Sequence, residues 1–437
     1  MNKLFAIIAA FATILSVAGC SEKDDKCDTG GPVKADRYLV TPDRAIARLK
    51  EVMGDKITRL ASVSSVKTIG RNAFMPHNTR VADAPALYIV DLPETGGCAV
   101  LAADTRLDPI YAILDNTKLE VEDLLQTPRS ASDEEDITAY VGGLINRAVG
   151  AVVRDSLMEP VPDDPRVPAA KGWDETTVVA RQEPLLKTKW NQRSPFNDNC
   201  PMEAKDSLGN PTKSPAGCVT IALAQIMYYN RLPASIGGIT FDWNLIREFE
   251  GPYYNLPFYN LSARMEIANY IYTIATALPV DFNNMTGAKN SQAISLLSRS
   301  GYYDVHTVDY GIGAVRQMVA TRKMPVYISG SDSEIKNSGH AWVIDGCNCY
   351  KVDSWLRTFS GSAPVYDYTD TLVYSKEYNL VHCNYGWGGS CDGYYSSGIF
   401  DTTSMLSGEN RDESIGDVQY VQPYDFDTNL KLILYTL

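Results

Sequence analysis

The chain has 437 residues, 45% of them hydrophobic and 21% charged, with a formal net charge of −13. That length exceeds one ordinary core, so two folded parts are expected, and the composition excludes wholesale disorder. The acidic balance, with no dense basic run, argues against nucleic acid as a partner.

From the N-terminus, Lys3, the apolar stretch Leu4 to Val17 and the small residues Ala18-Gly19 read as an export signal over residues 1–19. The apolar run is shorter than the roughly 20 residues that cross a bilayer, and no later segment qualifies, so no transmembrane helix is expected. Val17-Ala18-Gly19-Cys20 has the form of a bacterial lipobox. Cys20 would then be lipidated and would hold an exported protein on a membrane of the cell envelope or surface. The alternative is a plain secretory signal with a chance cysteine. Residues 20–35 follow as a polar tether.

Residues 36–158 read as a small α+β domain. Thr41 is a candidate N-cap, with Pro42 at the first helical position of an amphipathic run from Ala45 to Val52. Ala86 to Val90 and Cys98 to Ala102 read as two strands joined through Gly96-Gly97, and Tyr140 to Met158 returns to helical spacing. Residues 159–177, rich in proline, aspartate and small side chains, read as an exposed linker where processing would fall. Residues 178–437 make the second, larger domain.

The chemistry lies in that second part. Turn formers run into a small-residue apolar helix beginning at about Cys218, and a thiol at a helix N-terminus is expected to have a lowered pKa. Read alone, Cys218 is as readily a buried, inert thiol. A thiolate also needs a base. His340 follows Gly339 into an apolar strand, whereas His77 and His306 lack such a context. Asn384, in a glycine-rich turn, could accept Nδ1–H of that base, and the indole of Trp387 could shield the bond. Gln192, after Trp190-Asn191, could donate to an oxyanion beside the Cys218 N–H. Cys347-x-Cys349 and His382-Cys383 depart from metal-ligand spacing, so no metal is expected.

The order Gln, Cys, His, Asn, Trp is that of papain-like proteases, and His340 follows Cys218 at close to the roughly 130 residues expected there. Asn191 to Asn197, Ala216 to Val219, Ala224 to Met227, Gly339 to Gly346 and Asn384 to Gly389 resemble, in order, the signature segments of the streptopain family of bacterial cysteine proteases. Gly96 to Asp104 is similar to part of that family's inhibitory prosegment. The resemblance implies an α+β, papain-like fold, a helical subdomain on an antiparallel sheet, preceded by a smaller α+β prosegment domain. It implies a zymogen activated by another protease or by itself, acting on protein or peptide substrates without a cofactor.

By the same resemblance Cys218 is the nucleophile, His340 the base, Trp387 a wall of the site and Gln192 an oxyanion donor. Asn384 occupies the motif of the papain third member, although in this family the histidine relies on neighbouring tryptophan and backbone groups. Ser396 to Gly416 is mixed and acidic where the family carries a glycine-rich loop, so substrate preference does not carry over. Two other activities fit the same fold: a thiol-dependent acyl-transfer amidase or transpeptidase, and a non-catalytic surface binding protein.

Overall fold

A computed structural model describes residues 38–54, 66–74, 84–93, 95–125, 137–156, 171–251, 260–284, 286–331, 339–362, 365–400 and 428–437. Cys20, the export signal, the tether and most of the expected linker lie outside them. Helix α1 (Pro42–Met53) starts where the sequence places it: the Thr41 hydroxyl accepts the Arg44 N–H at 3.4 Å, and Pro42 occupies the first turn, where no donor is needed. Strands β1 (Val66–Gly70), β2 (Pro85–Leu92), β3 (Gly97–Ala102) and β4 (Ile110–Leu114) form an antiparallel meander. Helix α2 (Ile137–Ser156) completes this first region.

Strand β5 (Lys171–Gln182) overlaps the end of the expected linker. Its β-branched and aromatic residues, Trp173, Thr176, Thr177, Val178 and Val179, favour extended pairing over solvation. Helix α3 (Cys218–Asn230) is predominantly apolar and buried from Val219 to Tyr228, as suits a helix enclosed by other elements. Helix α4 (Leu261–Ala277) covers one flank of it, with the Tyr270 hydroxyl donating to the Ala224 carbonyl at 2.8 Å. Helix α5 (Asn290–Arg299) follows, then strands β6 (Tyr303–Asp309), β7 (Val326–Ser331), β8 (Gly339–Ser362), β9 (Val365–Asn384), β10 (Gly393–Ser396) and β11 (Thr428–Thr436).

Among the described residues one eleven-stranded sheet has the order β1-β2-β3-β4-β10-β9-β8-β7-β11-β6, with β5 added along the distal part of β8. The two regions expected as separate domains therefore share a sheet, joined where Leu114 of β4 pairs with Gly393 of β10. They also share packing. Leu49 and Val52 of α1 belong to one buried cluster with Val90, Leu101, Tyr350 and Leu380. The fold is α+β, with helices packed on an antiparallel sheet, and no helix among the described residues is long and apolar enough to cross a membrane.

The last carbonyls of a helix have no partner within it. In α1 the later region supplies them: Asn348 Nδ2 donates to the Val52 carbonyl and Arg181 to that of Met53, both at 2.8 Å. Asp174 of β5 reaches back to Arg44, to Arg48 at 2.6 Å and to the Ser354 hydroxyl at 2.7 Å. Asn348 is fully buried. Replacing it by alanine orphans a buried carbonyl, so Asn348→Ala should lower the stability of the whole chain by about 1 to 3 kcal/mol in urea unfolding.

Candidate active site

Cys218 is the first residue of α3, and the turn before it requires glycine. Gly217 has φ 93°, and a Cβ there would come within 2.9 Å of the Thr286 carbonyl oxygen. The approach is held from the other side as well: the Gln192 carbonyl accepts the Ala216 N–H at 2.9 Å. Trp190, fully buried, donates through Nε1 to the Phe249 carbonyl, and its own carbonyl accepts the Gly388 N–H at 2.9 Å. These bonds bring together the segments carrying Gln192, Cys218 and Trp387.

The expected lowering of the thiol pKa by the helix terminus is not found. Burial pushes the Cys218 thiol up, and the N–H groups of Ala341, Val219 and Cys218 itself offset this only in part. Cys218 keeps some accessible surface, but packed protein around the sulfur penalises the thiolate more than one helix end stabilises it. Ala341, whose N–H lowers the thiol, is the residue following His340.

His340 is the second residue of β8, opposite Gly330 of β7, and is 7% exposed. Its ring lies between aromatic neighbours: Trp387 stacks on it at 4.6 Å between centroids and 24° between planes, and Trp342 lies at 5.9 Å and 12°. Burial drives its pKa down to about 4, against the opposing effect of a backbone acceptor, the Tyr385 carbonyl, 3.1 Å from Nε2. Asn384 does not fill the expected role at Nδ1. Its Oδ1 accepts from Gln225 Nε2 at 3.0 Å and from the Gly386 N–H at 3.1 Å, and its Nδ2 donates to the Thr188 carbonyl at 2.8 Å. The reason is topological: β9 ends at Asn384, so its side chain turns toward α3 and the backbone beyond it reaches the imidazole.

A charge cluster unforeseen in the sequence lies behind this turn. His382 Nδ1 is 2.6 Å from Asp345 Oδ1, and Nε2 is 3.4 Å from Asp115 Oδ2. Lys189 Nζ is 3.0 Å from Asp392 and 3.7 Å from Asp115. Burial alone would strip the proton from His382, but the Asp345 charge and the bond to Asp115 push its pKa up to about 10. For Asp115 burial opposes ionisation, yet the His382 bond, with the charges of His382 and Lys189, holds the carboxyl below its usual range. The five residues are scattered from 115 to 392, so only the adjacency of Asp345 to the His340 segment and of His382 to the Asn384 segment could have hinted at it. Cys347 and Cys349 are buried free thiols on β8.

Against known proteins, the sequence model of the peptidase C10 family matches residues 190–395. Those residues are similar to a C10-family peptidase domain. The match encloses Gln192, Cys218, His340, Asn384 and Trp387. Streptopain of Streptococcus pyogenes serotype M1 is 24% identical over 361 residues, covering 74% of this chain and 76% of that protein. A second Streptococcus pyogenes streptopain is 23% identical over the same share. Among solved structures, a Prevotella intermedia prointerpain A fragment aligns over 82% of this chain and 98% of its own, at 17% identity and a TM-score of 0.48. Active interpain A of the same organism aligns over 50% and 87%, at 22% identity and a TM-score of 0.36.

Two outcomes follow from this geometry. A histidine whose folded pKa lies above its ordinary 6.5 stabilises the fold fully below that pH, and the contribution disappears as pH rises through about 10. Stability in urea should therefore decline between pH 6.5 and 10, and decline less in His382→Gln. Gly217→Ala, forced into a left-handed backbone with a Cβ against Thr286, should lose about 1 to 3 kcal/mol in the same measurement.

Proposed function

We propose that this chain is an exported, lipid-anchored cysteine endopeptidase, made as a zymogen and hydrolysing peptide bonds through Cys218 and His340. The observation that carries the reading is that the N–H of Ala341, the residue after His340, favours the thiolate of helix-terminal Cys218, while the His340 imidazole stacks with Trp387 and Trp342. The Tyr385 carbonyl accepts Nε2–H and leaves Nδ1 as the basic nitrogen. Transfer of the thiol proton to Nδ1 gives the nucleophile. The sulfur then attacks the scissile carbonyl, while the Cys218 N–H and the Gln192 side chain stabilise the oxyanion. Nδ1–H protonates the leaving amine, and the same nitrogen activates the water that cleaves the thioester and restores the thiol.

In the full-length chain a raised thiol pKa and a lowered imidazole pKa keep the proton on sulfur, so the pair rests neutral. That suits a precursor. The segment after β4 lies along the turn beyond Trp387: the Asp115 N–H donates to the Asp392 carbonyl at 3.0 Å, and Thr117 Oγ1 accepts the Cys391 N–H at 2.8 Å. The zymogen reading is also supported by the extent of the streptopain likeness, a larger share of the chain than residues 178–437 make up. Removal of the N-terminal region would admit water, ease desolvation of both groups and favour the thiolate–imidazolium form. The lipid anchor rests on the Val17-Ala18-Gly19-Cys20 motif alone.

Processed protein should degrade a denatured protein substrate, and Cys218→Ala or His340→Ala should each lower the rate by at least about 100-fold. Undiminished cleavage by Cys218→Ala would rule the reading out. Iodoacetamide should modify Cys218 more slowly at pH 7 in the uncleaved chain than after processing, followed by mass analysis of the peptide containing it.

A further inference from the structure

The His340 imidazole is held by a carbonyl, so its orientation depends on whatever fixes that carbonyl. The Tyr385 carbonyl that faces Nε2 and the Gly386 N–H belong to one peptide group, and that N–H donates to Asn384 Oδ1 at 3.1 Å. Asn384 Oδ1 also accepts from Gln225 Nε2 at 3.0 Å, and Gln225 Oε1 accepts from Thr188 Oγ1 at 2.6 Å. Gln225, Asn384 and Thr188 are each at most 3% exposed. Gln225 lies on α3 seven residues after Cys218, two turns along the same face of the helix.

The backbone contacts fix the direction of this chain of bonds. A reversed Asn384 amide would set its NH2 against the Gly386 N–H and its oxygen against the Thr188 carbonyl, two repulsive contacts where there are now two bonds. With Asn384 fixed, Gln225 must present Nε2 to it, and the Thr188 hydroxyl must donate to Gln225 Oε1. The circuit runs from Thr188 and the helix of Cys218, through Gln225 and Asn384, into the 385–386 peptide and on to His340.

We propose that Gln225 and Asn384 are positioning residues for His340, acting through the 385–386 peptide. This rests on the dyad reading above. The relay sets the plane and place of the accepting carbonyl, selecting the imidazole tautomer that carries hydrogen on Nε2. By hydrogen-bonding the N–H of the same peptide, it also polarises the carbonyl and strengthens its hold on Nε2–H. It couples the base to the helix of the nucleophile, so the two cannot move apart without breaking buried bonds. Asn384 thus serves the histidine one peptide removed.

The test uses the full chain with Cys218→Ala, which cannot process itself, and reads the His340 ring nitrogens by ¹⁵N NMR. A single Nε2–H tautomer is expected, giving way to mixed tautomers in Gln225→Leu and in Asn384→Ala. Thr188→Val, a milder change that removes only the hydroxyl donor, should shift the signal in the same sense and covers the case in which the larger substitutions do not fold. An unchanged tautomer in the folded variants overturns the relay. Kinetics on processed protein with Cys218 intact give the second readout. Each single substitution should lower kcat by about tenfold to a hundredfold with KM nearly unchanged, and the double variant should be no worse than the poorer single. Additive losses at an unshifted pH profile would assign the network to core packing and overturn the proposal. Absence of Cys218-dependent turnover in the unsubstituted protein would instead defeat the dyad reading, leaving the NMR result to decide the relay.

Discussion

Burial of two ionisable groups, the Cys218 thiol and the His340 imidazole, is the constraint on which the rest of this structure depends. Cys218 opens a helix, His340 stands at the start of a strand, and packed protein surrounds both groups, with aromatic rings against the imidazole. Such an enclosure penalises both charged forms, raising the thiol and lowering the imidazole. Everything nearby answers that penalty. A backbone carbonyl supports the protonated ring, the Ala341 N–H eases the penalty on the thiolate, and the peptide carrying the carbonyl is pinned by Asn384.

The same logic extends outward from the site. The turn after Asn384 is held at its far end by Asp392, whose Oδ1 accepts the Tyr385 N–H at 3.0 Å and whose Oδ2 meets Lys189. Lys189 and His382 both approach Asp115, which comes from the first region of the chain. The continuity of the sheet through β4 and β10, and the burial of α1 against β8 and β9, tie that region to the later one by more than a tether. In the proposed precursor, a cut in the linker alone would leave these contacts intact, so activation would also require the N-terminal region to dissociate.

Much of the site was legible because its segments announce themselves locally. Thr41-Pro42 marks a helix start, Gly217-Cys218 another, and Gly339-His340 the entry to an apolar strand, each through the conformational limits of the residues concerned. Three things were not legible. The thiol pKa was expected from the helix dipole, but desolvation depends on neighbours that sequence does not reveal. Whether Asn384 faces the imidazole was left open, because which way a side chain points at a strand end is decided by the element packed against it, here Gln225 of α3. The end of the proline-rich stretch was expected to be linker, but Trp173 and the β-branched residues after it, though largely exposed, pair as a strand along an open edge of β8. The charge cluster around His382 combines all of these difficulties, since its members meet only through the long-range pairing of the sheet.

The most direct measurement of the central claim is the capture of the acyl-enzyme. Processed protein mixed with a peptide ester, quenched in acid within the first turnover and digested, should carry the acyl mass on the peptide containing Cys218, and the adduct should be lost with hydroxylamine as a thioester is. An acyl group on any other residue, or turnover with no covalent adduct, would contradict the account.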